Sequence, residues 1–402
     1  MTILNNYDQF QGLHWETGSL RNYLAFKDVI APHTNQPYSE ALLLGISGGI
    51  VMGYYTFDYE GRDPMVRILT RNTFNPLETI YKRLDIKTAV KQTTSSEKGI
   101  QNLVAELDSG SPAIVYADMY SLPYNALDTD KGMWAMLPVL VYGYDQDSNK
   151  VFIADRSTKP LSVSRDELTE ARGRTKKNKF RLLNHEPPNP DKLEMAVMEG
   201  LIDCVNYFTQ PPPKGSKQNF GFLAFQKWVD MLQKPNQSGS WQKEFAPGQR
   251  MYAGLKSAFE DISIFGKDGG AERKLYVQFL EEASILLSKP ELKEVAEQFL
   301  KGAKAWDDLA DSLLPDEIPL FQETRTMMLR KHRLFLDQGS SSLKEMINIK
   351  VRLSELRSVV DKEFPLTQSQ VEDIRDEIAG KVKAVRDIEF DAIENLSIAI
   401  DF

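Results

Sequence analysis

Leu137-Pro138-Val139-Leu140-Val141-Tyr142-Gly143-Tyr144-Asp145-Gln146-Asp147-Ser148-Asn149-Lys150-Val151-Phe152-Ile153-Ala154-Asp155-Arg156 is the stretch whose reading decides the fold. Its two ends, 139–144 and 151–154, are short runs rich in Val, Ile and Tyr, the composition of buried strands. Between them Asp, Gln, Ser and Asn supply the side chains that bond their own backbone in turns, so the stretch predicts a β-hairpin. Upstream, 113–117 and 50–57 carry the same strand signal. Residues 17–26 predict a helix with Leu20, Tyr23 and Leu24 on one face. A short helix over 40–44 runs into Gly45-Ile46-Ser47-Gly48-Gly49, where adjacent glycines allow a tight reversal or a close backbone approach.

Downstream the character changes. The segment from His185 to Pro190 holds three prolines and predicts the start of a linker. Residues 191–208 are helical, with Leu193, Ala196, Val197, Leu201 and Val205 at three-to-four spacing, and Pro211-Pro212-Pro213 breaks the chain again. Helices are then expected at 222–232, 247–262, 271–287, 290–312, 319–337, 341–364 and 367–397, many opening near Pro, Ser or Thr. No strand pattern follows residue 190. The expected fold class is therefore α+β, with a mixed domain at 1–187 and a helical domain at 188–402.

Composition sets bounds on function. The 402 residues suffice for two or three domains, and 42% apolar with 26% charged residues is globular rather than disordered. A net charge of −8 works against an extended nucleic-acid surface. The densest basic run, Arg172, Arg174, Lys176, Lys177, Lys179 and Arg181, follows a short helix at 166–171 and reads as a solvated loop or sheet edge, with anion binding as the alternative. The single cysteine, Cys204, excludes an intrachain disulfide and reads as a small buried residue on an amphipathic helix. No signal peptide and no run long enough to span a membrane are read, so a cytoplasmic location is expected. His14, His33, His185 and His332 have no second ligand at metal spacing, and no cofactor motif is present, so no metal and no cofactor are expected. His332 lies in a basic helix face.

The order of the first domain's parts carries chemistry. A helix begins near Trp15, and the strand pair ending in Ala154-Asp155-Arg156 comes much later. That order suits a papain-like thiol enzyme, in which a helix dipole lowers the pKa of a cysteine and an acid orients a histidine held on a strand. Together with Gly12-Leu13-His14-Trp15-Glu16-Thr17, Ser39-Glu40-Ala41, Asp118-Met119-Tyr120-Ser121-Leu122-Pro123-Tyr124, Val141-Tyr142-Gly143-Tyr144-Asp145 and, in the helical part, Glu272-Arg273-Lys274-Leu275-Tyr276-Val277, the sequence resembles the butirosin-biosynthesis protein H family.

The resemblance implies a bacterial natural-product pathway and acyl transfer from a carrier-protein thioester to an amine. It also implies where the chain departs from that chemistry. The family's cysteine falls on Trp15 and its histidine on Leu137, while the orienting acid falls on Asp155, which is retained. Gln9, six residues before Trp15, falls where papain-like enzymes hold an oxyanion-hole glutamine. Trp carries no nucleophile and Leu carries no proton. The leading expectation is a degenerate relative that binds a small molecule, a peptide or an acyl-carrier-type partner. The alternatives are an active acyl- or amide-transfer enzyme using other residues, such as His14, and a structural protein that forms a homo-oligomer through its C-terminal helices. Trp15, Ser39, Glu40, Asp118, Tyr120, Tyr124 and Arg273 are the candidate ligand contacts. Capping or packing is the competing reading for Ser39, Glu40, Asp118, Tyr120 and Tyr124, and a surface salt bridge for Arg273.

Overall fold

The computed structural model describes residues 2–4, 6–127, 132–211, 214–266 and 269–402, so two members of the proline run, Pro212 and Pro213, lie outside the described residues. In chain order the elements begin with β1 (Thr2–Ile3), α1 (Trp15–Phe26), β2 (Ile30–Ala31), β3 (Gln36–Pro37) and α2 (Glu40–Ile46). They continue with β4 (Ile50–Phe57), β5 (Met65–Arg71), α3 (Pro76–Arg83), β6 (Thr88–Lys91), α4 (Ser96–Asp108) and β7 (Ala113–Asp118). Two 3-10 turns, Met119–Ser121 and Pro123–Asn125, precede β8 (Met136–Asp145), β9 (Lys150–Ala154), β10 (Leu161–Ser164), α5 (Arg165–Gly173) and β11 (Leu182–His185). Helices make up the rest: α6 (Leu193–Thr209), α7 (Phe222–Gln233), α8 (Trp241–Glu244), α9 (Gln249–Phe259), α10 (Arg273–Leu286), α11 (Glu291–Leu313), α12 (Pro319–Gln338), α13 (Leu343–Lys362) and α14 (Gln368–Ala399). The class is α+β.

The chain forms two compact units, neither of them one stretch of sequence. One comprises Met1–Leu43, Asn75–Leu193 and Lys331–Lys350; the other comprises Leu44–Phe74, Glu194–Arg330 and Val351–Phe402.

The first unit is built on an antiparallel sheet in the order β10-β9-β8-β7-β11-β6, with β1 also paired to β8. The hairpin expected from the sequence is its centre: Leu140 faces Ala154 and Tyr144 faces Val151, with a register shift between Val141 and Gly143. The Asp145 carboxylate accepts from the Asp147 N–H at 3.1 Å and the Ser148 hydroxyl, and Asn149 takes a left-handed φ of 55°. These are the local bonds that Asp and Asn bring to turns. Val139, Leu140 and Val141 are fully buried or nearly so, so β8 is covered on both faces. Helix α1 lies against it, with the Ser19 hydroxyl donating to the Pro138 carbonyl at 3.2 Å.

Two sequence expectations change here. His185 does not open a linker; it ends β11, paired opposite Thr88 of β6. Its imidazole is buried between the hydroxyls of Tyr81 and Thr88, at 3.3 and 3.2 Å, and burial lowers its pKa to about 3. Nor is the basic run wholly solvated. The Arg172 guanidinium is fully buried, donates to the carbonyls of Gly99 and Phe180 at 3.3 Å each, and is lowered to about 10 by burial.

In the second unit the β4–β5 hairpin is packed among helices. Gly48 and Gly49 have φ of 109° and 70°, and the Gly49 N–H bonds back to the Leu44 carbonyl at 3.0 Å. The glycine pair therefore reverses the chain from helix to strand, since only Gly takes such φ values freely, and its amides serve the turn. A Cβ on Gly200 of α6 would collide with the Gly45 carbonyl, so Gly200 lets two backbone segments meet. Past residue 190 no named strand occurs among the described residues; the one pairing there is the isolated bridge of Phe220 with Gly53. On α13, Ile349 and Leu356 are buried while Ile347 and Val351 are exposed.

Candidate functional site

The N-terminus of α1 is organised by a carboxylate from another helix. Glu40, the first residue of α2, is 6% exposed. It accepts from the Leu13 N–H at 2.5 Å, the His14 N–H at 2.9 Å and the Thr17 hydroxyl at 2.8 Å. His14 Nδ1 lies 3.0 Å from the same carboxylate. An anion here satisfies the amide of the N-cap residue, His14, and that of the residue before it, and lies at the positive end of the helix dipole. Burial alone would raise the Glu40 carboxyl; the His14 hydrogen bond and charge, with those from Leu13 and Thr17, outweigh it and hold it below its usual range. Ser39 caps its own helix, accepting from the Leu42 N–H at 2.9 Å. Glu40 thus caps the preceding helix rather than the one it begins.

One residue further on, Trp15 is 8% exposed and carries a guanidinium on its face: Arg156 Cζ lies 3.9 Å from the ring centroid. A second aromatic neighbour of that guanidinium is Phe335 of α12, with its centroid 4.8 Å away. Arg156 follows directly on Asp155, and the two pair side by side. Nε donates to Oδ1 and Nη2 to Oδ2, both at 3.2 Å, and Nη2 also donates to the Asn125 side-chain carbonyl at 2.7 Å. The Tyr124 hydroxyl donates to Asp155 Oδ2 at 3.3 Å. Burial, then the Asp155 charge, raise the Tyr124 pKa well above its usual value, so this hydroxyl keeps its proton. Continuing the β8–β9 register one residue beyond the Leu140–Ala154 pair sets Asp155 opposite Val139. Leu137 is then its diagonal neighbour on the same face, within reach of a longer side chain.

The structure therefore brings Trp15, Asp155 and Tyr124 together around Arg156, with Leu137 diagonal to Asp155. It sends the other candidates elsewhere. Gln9 donates to Asp8 at 2.6 Å and accepts from Arg21 at 3.3 Å, so its amide is turned toward the middle of α1 and not toward the first turn. Asp118 ends β7, accepting from the Ala135 N–H at 2.8 Å and the Ser121 hydroxyl at 2.7 Å, which fixes the turn after the strand. Tyr120 is half-buried in that turn. Cys204 is buried on α6 and burial raises its thiol to about 12, so it stays unreactive.

Arg273 belongs to the second unit and is neither a surface ion pair nor open to a ligand. Its side chain is fully buried. Nε and Nη2 grip Glu389 at 2.5 and 2.9 Å, while Nη1 and Nη2 bond the carbonyls of Thr70, Ala271 and Val51 at 2.9, 2.7 and 3.1 Å. An arginine has five N–H donors, and all are spent on the protein. Trp306 Nε1 donates to the same Glu389 at 2.7 Å.

Arg156, Asn125 and Phe335 are the members of the site that sequence reasoning missed. Arg156 was within sight, since it adjoins Asp155 in the quoted motif. Phe335 carries no local signal; it reaches Arg156 because residues 331–350 belong to the first unit. The Leu336 carbonyl, accepting from the Thr158 N–H at 2.8 Å and the Ser157 hydroxyl at 3.1 Å, ties that segment down beside Arg156.

Among the described residues no group of three or more His, Cys, Asp and Glu is placed to hold a metal ion, and no helix is long and apolar enough to cross a membrane. Residues 14–156 match the family model described as butirosin biosynthesis protein H, N-terminal. Residues 166–317 match a domain of unknown function (DUF4872). No curated protein matches the chain.

Proposed function

Through residues 14–156 the chain belongs to the butirosin biosynthesis protein H family, and on that premise we propose that it is a papain-like acyltransferase relative that has lost covalent catalysis and retains its cleft for binding. The ligand in this reading is a small molecule, or the acyl group of a carrier-type partner, in a biosynthetic pathway. One observation carries it. The carboxylate that would orient an imidazole is held by Arg156 on two oxygens, and the same guanidinium covers the face of Trp15. A thiol enzyme needs its acid free to fix the histidine tautomer and its helix N-terminus open for a thiolate. Here both places are filled by an ion pair and an indole, and the neighbouring strand offers Leu137.

The test is turnover by the native protein on acyl thioesters with amine acceptors. The reading expects no transfer and no hydrolysis above the uncatalysed rate. Turnover that disappears in His14→Ala or Asp155→Ala would overturn it. His14 is the specific alternative, because a buried imidazole 3.0 Å from a carboxylate is the arrangement of a base and its orienting acid.

A further inference from the structure

We propose that Arg156 is the ligand-binding residue of this cleft and that the ligand group it takes is a carboxylate; the inference rests on the binding reading above and names the chemistry of that same site. The argument is a count of donors. Three of the five guanidinium N–H groups are used, one by Nε and two by Nη2, on Asp155 and Asn125. Nη1 makes no hydrogen bond among the described residues, and it is not one of the enclosed polar atoms left without a partner, so it is not sealed from solvent. Yet the residue is only 7% exposed. A side chain more than nine-tenths buried, with one amino group left at the surface, is aimed rather than merely solvated.

The surroundings fix that aim. The rings of Trp15 and Phe335 lie 3.9 and 4.8 Å from the guanidinium, and Asp155 with Asn125 holds its Nε and Nη2 edge. The planar group is therefore locked in orientation before any ligand arrives, which lowers the ordering cost of binding. Nη1 can give charge-assisted hydrogen bonds to an oxygen, and these are about twice as strong as neutral ones. Asp155 balances part of the guanidinium charge, so a singly charged, planar carboxylate suits the opening better than a doubly charged phosphate. The carboxylate would sit beside the Trp15 indole, at the N-terminal end of α1.

The experiment is calorimetric titration of the full-length protein with hexanoate, hexanamide and inorganic phosphate, with tryptophan fluorescence as a second readout. The acid and the amide share a chain and differ in charge. Hexanoate should bind, with hexanamide and phosphate each ~10-fold or more weaker. Arg156→Lys keeps the positive charge but removes Nη1 and should lose hexanoate binding by a similar factor. The Arg156→Gln/Asp155→Asn double variant removes both charges of the pair, guards against misfolding from an orphaned carboxylate, and should lose it too. Equal binding of acid and amide, preference for phosphate, undiminished binding in either variant, or no binding of hexanoate by native protein would each overturn the inference. No thioester is present, so these outcomes are independent of the turnover that would overturn the functional reading.

Discussion

Replacing Arg273 by methionine should destabilise the protein by about 3–5 kcal/mol, the usual cost of breaking a buried ion pair from one side. Methionine keeps most of the apolar stem and removes all five donors. The carbonyls of Thr70, Ala271 and Val51 lose the hydrogen bonds that Arg273 gives them, and Glu389 keeps only Trp306 Nε1. A buried group left unpaired costs about 1–3 kcal/mol, and a carboxylate costs more, so the uncompensated Glu389 is the largest contribution. At about 1.4 kcal/mol per decade the folding equilibrium moves by roughly two to four decades. Urea denaturation followed by circular dichroism and tryptophan fluorescence reads this as an earlier transition. The Arg273→Met/Glu389→Met double variant removes both charges and should recover most of the loss, because two apolar side chains replace a desolvated pair. A single variant within about 1 kcal/mol of native would refute the claim that Arg273 is a buried structural clamp. So would a double variant worse than the single.

Glu40→Ala should cost about 3 kcal/mol or more, because it strands the Leu13 and His14 amides and the Thr17 hydroxyl, whereas Thr17→Ala should cost about 1 kcal/mol; denaturant titration of both checks the ordering. His185 predicts acid sensitivity. Its folded pKa, about 3, lies below the unfolded value of about 6.5, so the unfolded chain takes up the proton first. The stability linked to this group is complete above about pH 6.5 and is lost as pH falls toward the folded value, amounting to roughly 2 kcal/mol by about pH 5. His185→Gln should flatten that part of the pH profile, and an unchanged profile would contradict the assignment. Gly200→Ala should lose about 1–3 kcal/mol of stability, since its methyl meets the Gly45 carbonyl and the backbones must part; a melting temperature equal to native would show that this approach is loose.

Much of the fold was legible because its signals are local. The β8–β9 hairpin announced itself through two apolar runs around Asp145, Ser148 and Asn149, and the long helices through spacing and proline starts. β5 carries an equally local signal, Val66, Ile68 and Thr70 buried in alternation. β6 and β11 do not: one is largely exposed, the other is four residues long and runs into a proline segment, and they are strands through pairing, β11 with β7 and β6 with β11. Site residues divide the same way. Asp155 and Trp15 stand in motifs whose order can be read, so their coming together was foreseeable. Their shared partner was half hidden, since Arg156 is adjacent in sequence but its second aromatic neighbour comes from α12. Arg273 looked like a surface residue because it opens a helix after two glycines. Its burial depends on Glu389 and on carbonyls of β4 and β5, which no spacing reveals.

The most direct test of the account is the intact mass of the Trp15→Cys/Leu137→His variant, and of native protein beside it, after exposure to an acyl thioester. On the proposed reading, a thiol placed at the start of α1, with an imidazole diagonal to Asp155, should give the variant one acyl adduct at residue 15, located by peptide mapping, while the native chain stays at its own mass and releases no free thiol. Acylation or thioester turnover by the native chain, equal to or above that of the variant, would contradict the proposal that Trp15 and Leu137 stand where a catalytic pair would.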